Sequence, residues 1–340
     1  MSVAARPSRL KRMLMRTRRG VLAITLVAGL AAAVLHASAQ EATLAYKWTK
    51  GETLRYRLTQ KTATTMSGLP GGLPDVKLDQ LADQVFKMTV EGIAADGTVT
   101  LLQSFESMRM DITSPGGNVT FDAAKPDPSA APPELAVQKL FAAMLNEPFT
   151  VTMTPTGKLV KIEGFTRLMD KVFAASPASD PQTAAAFQQM RATLSDDQMM
   201  SMFSQGFPEF PQRPLKAGDT WAGETTLKNP ALGATLMSSS LVLAALEGTA
   251  AAQVARITTK VKMERDPKSQ APQGPMGMKV DMGIANGEGE TLFDVGKGRL
   301  QRATTNITIP ISMSGTGPDG SAFNMRSNAN STVTVELIDK

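Results

Sequence analysis

The segment Arg299–Ser314, "RLQRATTNITIPISMS", constrains the fold more than any other stretch. Its second half places Ile307, Ile309, Ile311 and Met313 at every other position, with Asn306, Thr308, Pro310 and Ser312 between them. A period of two puts the apolar residues on one face of a strand and the polar residues on the other. Together with "ATLMSSSLVLAALE" and "AAAQVARITTKVKME", it runs 14 to 16 residues, against a usual strand length of about 5–6. Antiparallel strands this long, apolar on one face, must twist and curl to bury that face. Pro310 suits an edge strand or a bulge.

Turn signals set the order of the strands. "MTVEGIAADGTVTLLQSF" folds about Asp96-Gly97, and "SLVLAALEGTAAAQVARITTKV" about Glu247-Gly248. Gly117–Asp122 and Gly289–Asp294 share a Gly-x-x-x-Phe-Asp spacing. The landmarks Gly51, Gly97, Met110 and Phe121 recur in order as Gly218, Gly248, Met263 and Phe293. The expectation is a mainly β (α+β) protein of two related curved antiparallel sheets, or half-barrels, at 40–125 and 215–340. A helical segment at 126–214 lies between them, with a β-hairpin at 148–163 around Pro155-Thr156-Gly157. Helices are expected at Pro133–Glu147, Phe165–Ala175, Gln182–Leu194 and Asp196–Gln205. Gly287, Gly289, Gly296 and Gly298 read as turn and bulge glycines.

Residues 1–39 read as a secretion leader. Seven Arg and Lys precede an apolar run from Gly20 to Leu35, and Ala37-Ser38-Ala39 offers a small-x-small cleavage pattern. The run is 16 residues, shorter than the roughly 20 of a membrane-spanning helix. Thr17-Arg18-Arg19-Gly20-Val21-Leu22 also resembles a twin-arginine signal. Cleavage before Gln40 predicts a periplasmic or secreted protein with no transmembrane segment in the mature chain. Removing the leader's seven bases from 36 leaves 29 against 31 acids, a net charge of −2. With no basic patch in the remainder, nucleic acid is not an expected partner.

The missing residues restrict the chemistry. Cysteine is absent and the only histidine, His36, lies in the leader. The remainder therefore lacks the residues of Ser-His-Asp and Cys-His catalysis, and of ordinary zinc sites. No Ser-x-x-Lys, Gly-x-Ser-x-Gly or Walker loop replaces them. Gly315–Gly320 fits the letters of a dinucleotide fingerprint, but Pro318-Asp319-Gly320 is a turn signal and no helix pattern follows. Carboxylate pairs are the remaining catalytic route. Asp75, Asp79 and Asp83 read as a solvated face beside Leu78, Leu81 and Val85, and Asp196 and Asp197 as helix-capping acids. No catalytic residue, metal site or cofactor is assigned.

"YKWTKGETLRYRL", "TPTGKLVKIEGF" and "AGDTW" resemble motifs of an uncharacterised family of exported bacterial proteins, over most of residues 44–340. That resemblance implies export and a β-rich fold, and no activity. The architecture is also similar to periplasmic lipoprotein and lipid carriers, though no residue motif aligns with them.

The last signal is methionine: 18 of the 21 lie outside the leader. An unbranched, polarizable side chain adapts to varied apolar partners. Met199, Met202 and Phe203 fall at i, i+3 and i+4 on the expected helix from Asp196 and form one apolar stripe. The expected ligand site joins Met199, Met202 and Phe203 to Ile307, Ile309, Ile311 and Met313. Its occupant would be an apolar small molecule, lipid or acyl chain, held in a concavity of the sheet without catalysis. The alternative is a cell-envelope scaffold that binds another protein. Copper(I) on Met276, Met278 and Met282 is a lesser reading, since no His or Cys supports it.

Overall fold

Alternation does become strand, and among the described residues all the strands but the short pair Glu41–Ala42 and Leu215–Lys216 join into one sheet. The computed structural model describes residues 40–130, 132–175, 196, 199–200, 203, 206–229, 233–249, 252–269, 279–316 and 322–338. Residues 42–340 belong to one compact unit, to which the following applies. The first strands are β1 (Thr53–Ser67), β2 (Val76–Ile93), β3 (Val99–Ser114) and β4 (Gly117–Asp122). Helix α1 (Pro132–Met144), hairpin β5 (Phe149–Met153) and β6 (Leu159–Glu163), and helix α2 (Phe165–Ala175) follow. The later strands are β7 (Thr220–Asn229), β8 (Gly233–Glu247), β9 (Val254–Arg265) and β10 (Lys279–Met282). The last three are β11 (Ala285–Asp294), β12 (Arg299–Thr316) and β13 (Ala322–Leu337).

The thirteen strands form an antiparallel sheet in the order β6-β5-β3-β2-β1-β13-β12-β11-β9-β8-β7. β4 pairs with β3 and β10 with β12, outside that path. The β-rich antiparallel class with an intervening helical segment is what the fold shows. The two halves, expected as related sheets, are continuous, because β13 pairs with β1 from Arg326–Ser67 to Leu337–Tyr56. The strand nearest the C-terminus, β13, thus pairs with β1 and joins the two halves.

Register carries one core face through both halves. A single cross-strand row runs Met108, Gln84, Leu58, Val335, Ala303, Thr291, Ile257, Leu243. Most of that row belongs to one hydrophobic cluster, with Leu54, Tyr56, Phe86, Phe149 and Phe293. Each fully buried side chain of this kind contributes about 1.5–3 kcal/mol. The halves share one core.

The sheet curls across its strands. The β5–β6 and β11–β12 turns lie six strand spacings apart along the sheet, roughly 29 Å if it were flat. Yet the Tyr46 amide donates to Pro155 O (2.7 Å) and the neighbouring Lys47 amide donates to Gly298 O (3.1 Å). Two adjacent residues can hold both turns only if the sheet bends them together. The bend stops short of closure, since β6 and β7 end the path and do not pair with each other.

An aromatic plug fills the curled end. Tyr46 packs on Phe210 (5.5 Å between centroids) and on Phe293 (5.2 Å), and Phe207 meets Tyr56 (5.9 Å). The Tyr56 hydroxyl donates to Leu300 O at 3.2 Å, and burial raises its phenol well above the ordinary value. Gly157 is required here. Its φ is +92°, and a Cβ would lie 2.6 Å from both Pro208 O and the Tyr46 ring.

Several local expectations need correction. Gly287 and Gly289 are neither turn nor bulge residues but lie inside β11, on the core face opposite Ile307 and Thr305. A Cβ on Gly287 would sit 2.5 Å from Asn306 O, so the missing side chain lets β11 and β12 fold tightly together. Pro310 sits in an interior strand. Its neighbour is broken there: β11 pairs with β12 up to Thr308, β10 pairs from Ile311, and the Gly283 amide donates to Pro310 O (2.9 Å). The ladder thus asks nothing of the absent N–H.

α1 ends three residues earlier than expected, α2 spans the expected Phe165–Ala175, and the hairpin forms as β5–β6. Gln182–Leu194 lies outside the described residues. Asp196, Met199, Met200 and Phe203 are helical. Asp196 also caps a neighbour: its carboxylate accepts the Thr166 amide near the start of α2 (2.8 Å).

Candidate functional site

The core face changes character along the strands. Below lies the aromatic plug. In the middle, Gln60, Thr62 and Ser331 bond to one another across β1 and β13, at 3.1–3.3 Å. Above them the face turns apolar again, and there the predicted residues of β12 are found. Ile307, Ile309, Ile311 and Met313 all point to the core face, since their partners on β13 are Ser331, Ala329, Ser327 and Met325. All four are half-buried and lie outside the main core cluster.

Register surrounds them with more methionine. Met313 faces Met325, Ile311 faces Met282, and Met237 faces Met263, which in turn faces Ala285. Met66 faces Ser327 on one side and Val76 on the other, while Met110 faces Ala82 in the row of Gln60, below the strip. Met66, Met110, Met237, Met263, Met313 and Met325 are half-buried, and Met282 is buried. The strip therefore spans strands from both halves. Sequence reasoning found its β12 portion and missed Met66, Met237, Met263 and Met325. Their alternation was visible, but only register shows that they share a face.

The helical residues are elsewhere. Met199 is buried in the main core, and Phe203 packs edge-on against Phe86 (6.2 Å) and Phe149 (6.0 Å) on β2 and β5. They cover the lower core face of the first half and do not meet the β12 strip. Met202 lies outside the described residues, as do Met276 and Met278 of the copper reading, while Met282 serves the strip.

Two adjoining grooves, of about 760 and 690 Å³, cross β8 to β13. Ser240, Lys260, Glu288, Asn306 and Thr332 form one cross-strand row in the first. That row alternates with the core-facing Ser239, Val261, Gly287, Ile307 and Ser331, so the grooves run over the face turned away from the core. Most of their lining residues are Ser, Thr, Asn, Lys and Glu, unlike the Met- and Ile-lined concavity expected for a ligand. Arg256, beside the second groove, binds Glu247 and Glu290 at 2.7 Å each. The Glu247 hydrogen bond, then the Glu290 one, raise the pKa of Arg256, and Arg256 lowers that of Glu247.

Asp79 and Asp83 also lie on the outward face, on strand β2 rather than a helix, where Asp83 accepts the Thr59 hydroxyl (3.3 Å) and faces Arg57 (3.7 Å). Among the described residues, no three His, Cys, Asp or Glu gather as metal ligands do, and no helix is long and apolar enough to cross a membrane.

Comparison with known proteins gives a family and a loose fold likeness. The profile of a family of unknown function (DUF6263) matches residues 96–298. No curated protein matches the chain. Among solved structures, a study of lipid–protein interactions in lipovitellin aligns with 86% of this chain at 8% identity and a TM-score of 0.45. The chain spans about a quarter of that protein, 26%. An outer membrane channel from Pseudomonas putida F1 aligns at 10% identity and a TM-score of 0.24, covering 86% of this chain and 97% of the channel. A β-barrel-like protein of unknown function from Brucella abortus aligns at 12% identity and 0.18, covering 85% and 100%.

Proposed function

Since the chain belongs to the DUF6263 family, whose function is unknown, we propose a role from its own geometry: an exported, non-catalytic carrier of an apolar ligand such as a lipid or acyl chain. The observation that carries this reading is the half-buried Met/Ile strip on the core face above the plug. Ile307, Ile309, Ile311, Met313, Met325 and Met263 lie on strands of a curled sheet, outside the main hydrophobic cluster. Thioether and branched aliphatic side chains accept apolar chains of varied shape. A strip facing the inside of the curl shelters such a chain from water more than a flat face would. The basic leader, apolar run and small-x-small pattern before Gln40 support export.

Lipid extraction and mass spectrometry of natively purified protein test the reading. A defined acyl species at near one per protein supports it. Empty protein that also fails to take up a fluorescent fatty acid refutes it. Recovery of one stable protein partner from crosslinking in intact cells would favour a scaffold instead.

A further inference from the structure

Gln103 sits where an apolar residue belongs. It lies on the core face of β3, opposite Met88 on β2 and Phe149 on β5, and is fully buried. Phe149 touches Phe105 (6.0 Å), Phe165 (5.4 Å) and Phe203, and Phe203 also touches Phe86. Inside this aromatic nest, neither the nitrogen nor the oxygen of the Gln103 amide has a hydrogen-bond partner. Buried polar groups are almost always paired, and an orphaned one destabilises the fold. A trapped water would not resolve the matter, because a buried water typically needs about three polar partners. Among the described residues, the other buried side-chain atoms without partners belong to Trp48, Glu52, Arg265 and Arg299, none of them in this nest.

We infer that Gln103 is the polar anchor of the carrier site, pairing with the neutral head group of the bound acyl ligand beneath Phe203. This rests on the carrier reading above. A carboxamide offers donors and an acceptor side by side, so its complement is a group with both: a protonated carboxylic acid or another primary amide. A carboxylate only accepts, and would carry its charge into an apolar nest at high cost. An ester only accepts as well, leaving Gln103 Oε1 unpaired. From Gln103 the core face of β3 continues over Phe105, Met108, Met110 and Ile112, of which the last three are half-buried. That path is roughly 25–30 Å of strand and leads from the nest toward the methionine strip. Head at Gln103 and tail along Met108 to Ile112 is the orientation this assigns.

The test compares oleamide, oleic acid and methyl oleate on the full chain and on Gln103→Leu, by displacement of a fluorescent fatty acid at pH 5 and pH 8, with thermal melting alongside. For the wild type, oleamide should bind equally at both pH values and about tenfold or more tighter than methyl oleate. Oleic acid should bind roughly tenfold or more tighter at pH 5, where a larger fraction is neutral. Gln103→Leu should melt higher, because the orphaned amide is gone, yet bind all three within about twofold. Should that variant misfold, Gln103→Met serves the same purpose. A variant that keeps the preference for amide over ester overturns the anchor while leaving the carrier intact, as does a wild type indifferent to all three heads. A wild type that binds none of the probes removes the carrier reading and the anchor together.

Discussion

The two four-strand meanders of this sheet share an order and differ in one strand. The first runs β1-β2-β3 and the second β7-β8-β9, each hairpin antiparallel. Next to β9 lies an unbroken β11, paired from Met263–Ala285 to Val254–Asp294. The same position beside β3 is divided: β4 pairs with Arg109–Ser114, β5 pairs with Val99–Gln103, and α1 is inserted between them. Past the end of α1, the Asn146 amide donates to Phe105 O (2.8 Å), in the gap between the two pieces. The consequence is two ways of finishing a core. The first half buries helix side chains, Leu140, Met144, Leu168 and Met169, against its sheet. The second half draws strands together at Gly287 and Gly289 and leaves its upper face to methionines.

The largest expected effect tests whether matching letters mean matching places. Phe293 is fully buried against Tyr46 and Phe210, while Phe121 faces Met110 in the short β4. Phe293→Ala should cost about 3–5 kcal/mol in urea unfolding, and Phe121→Ala less than half of that. Equal costs would break the contrast. Next, Gly287→Ala should destabilise by about 1–3 kcal/mol, since its Cβ would meet the β12 backbone. Gly92→Ala in the first half has open space and should stay within about 0.5 kcal/mol.

A smaller stability effect, under about 1 kcal/mol, is expected for Ile309→Asn on the half-buried strip. Its acyl occupancy in native mass spectrometry should nevertheless drop by half or more. The smallest effect lies at the turn before β7. There the Lys216 amide, then Arg213, holds the Asp219 carboxyl below its ordinary 3.8. A depressed carboxylate stabilises the fold above its unfolded pKa and loses that contribution as pH falls through the folded value. Asp219→Asn should therefore melt slightly lower than wild type at pH 7 and equally at pH 2.

Much of this was legible from local chemistry. Alternation in β12 placed Ile307 to Met313 on the core face, and the turn residues located the hairpins at Gly97, Gly157 and Gly248. Two readings went astray for lack of register. Gly287 and Gly289 looked like punctuation, because the sequence does not show that Ile307 and Thr305 lie across from them. Met199 and Phe203 looked like the other wall of the β12 site, because helical spacing identifies a stripe without saying which strand it meets. Gln103 drew no notice at all: one glutamine in "LLQSFESM" is unremarkable until its partners prove to be Met88 and Phe149.

By itself the sequence determined the β-rich class, the face each long strand turns inward, and the absence of histidine and cysteine beyond residue 39. These follow from side-chain period and residue type, which need no knowledge of neighbours. Tertiary structure alone decided that β13 pairs with β1, that one core serves both halves, and that methionines from six strands form one strip. Strand pairing joins residues hundreds of positions apart, and the free energy that selects a register belongs to the pair of strands rather than to either one.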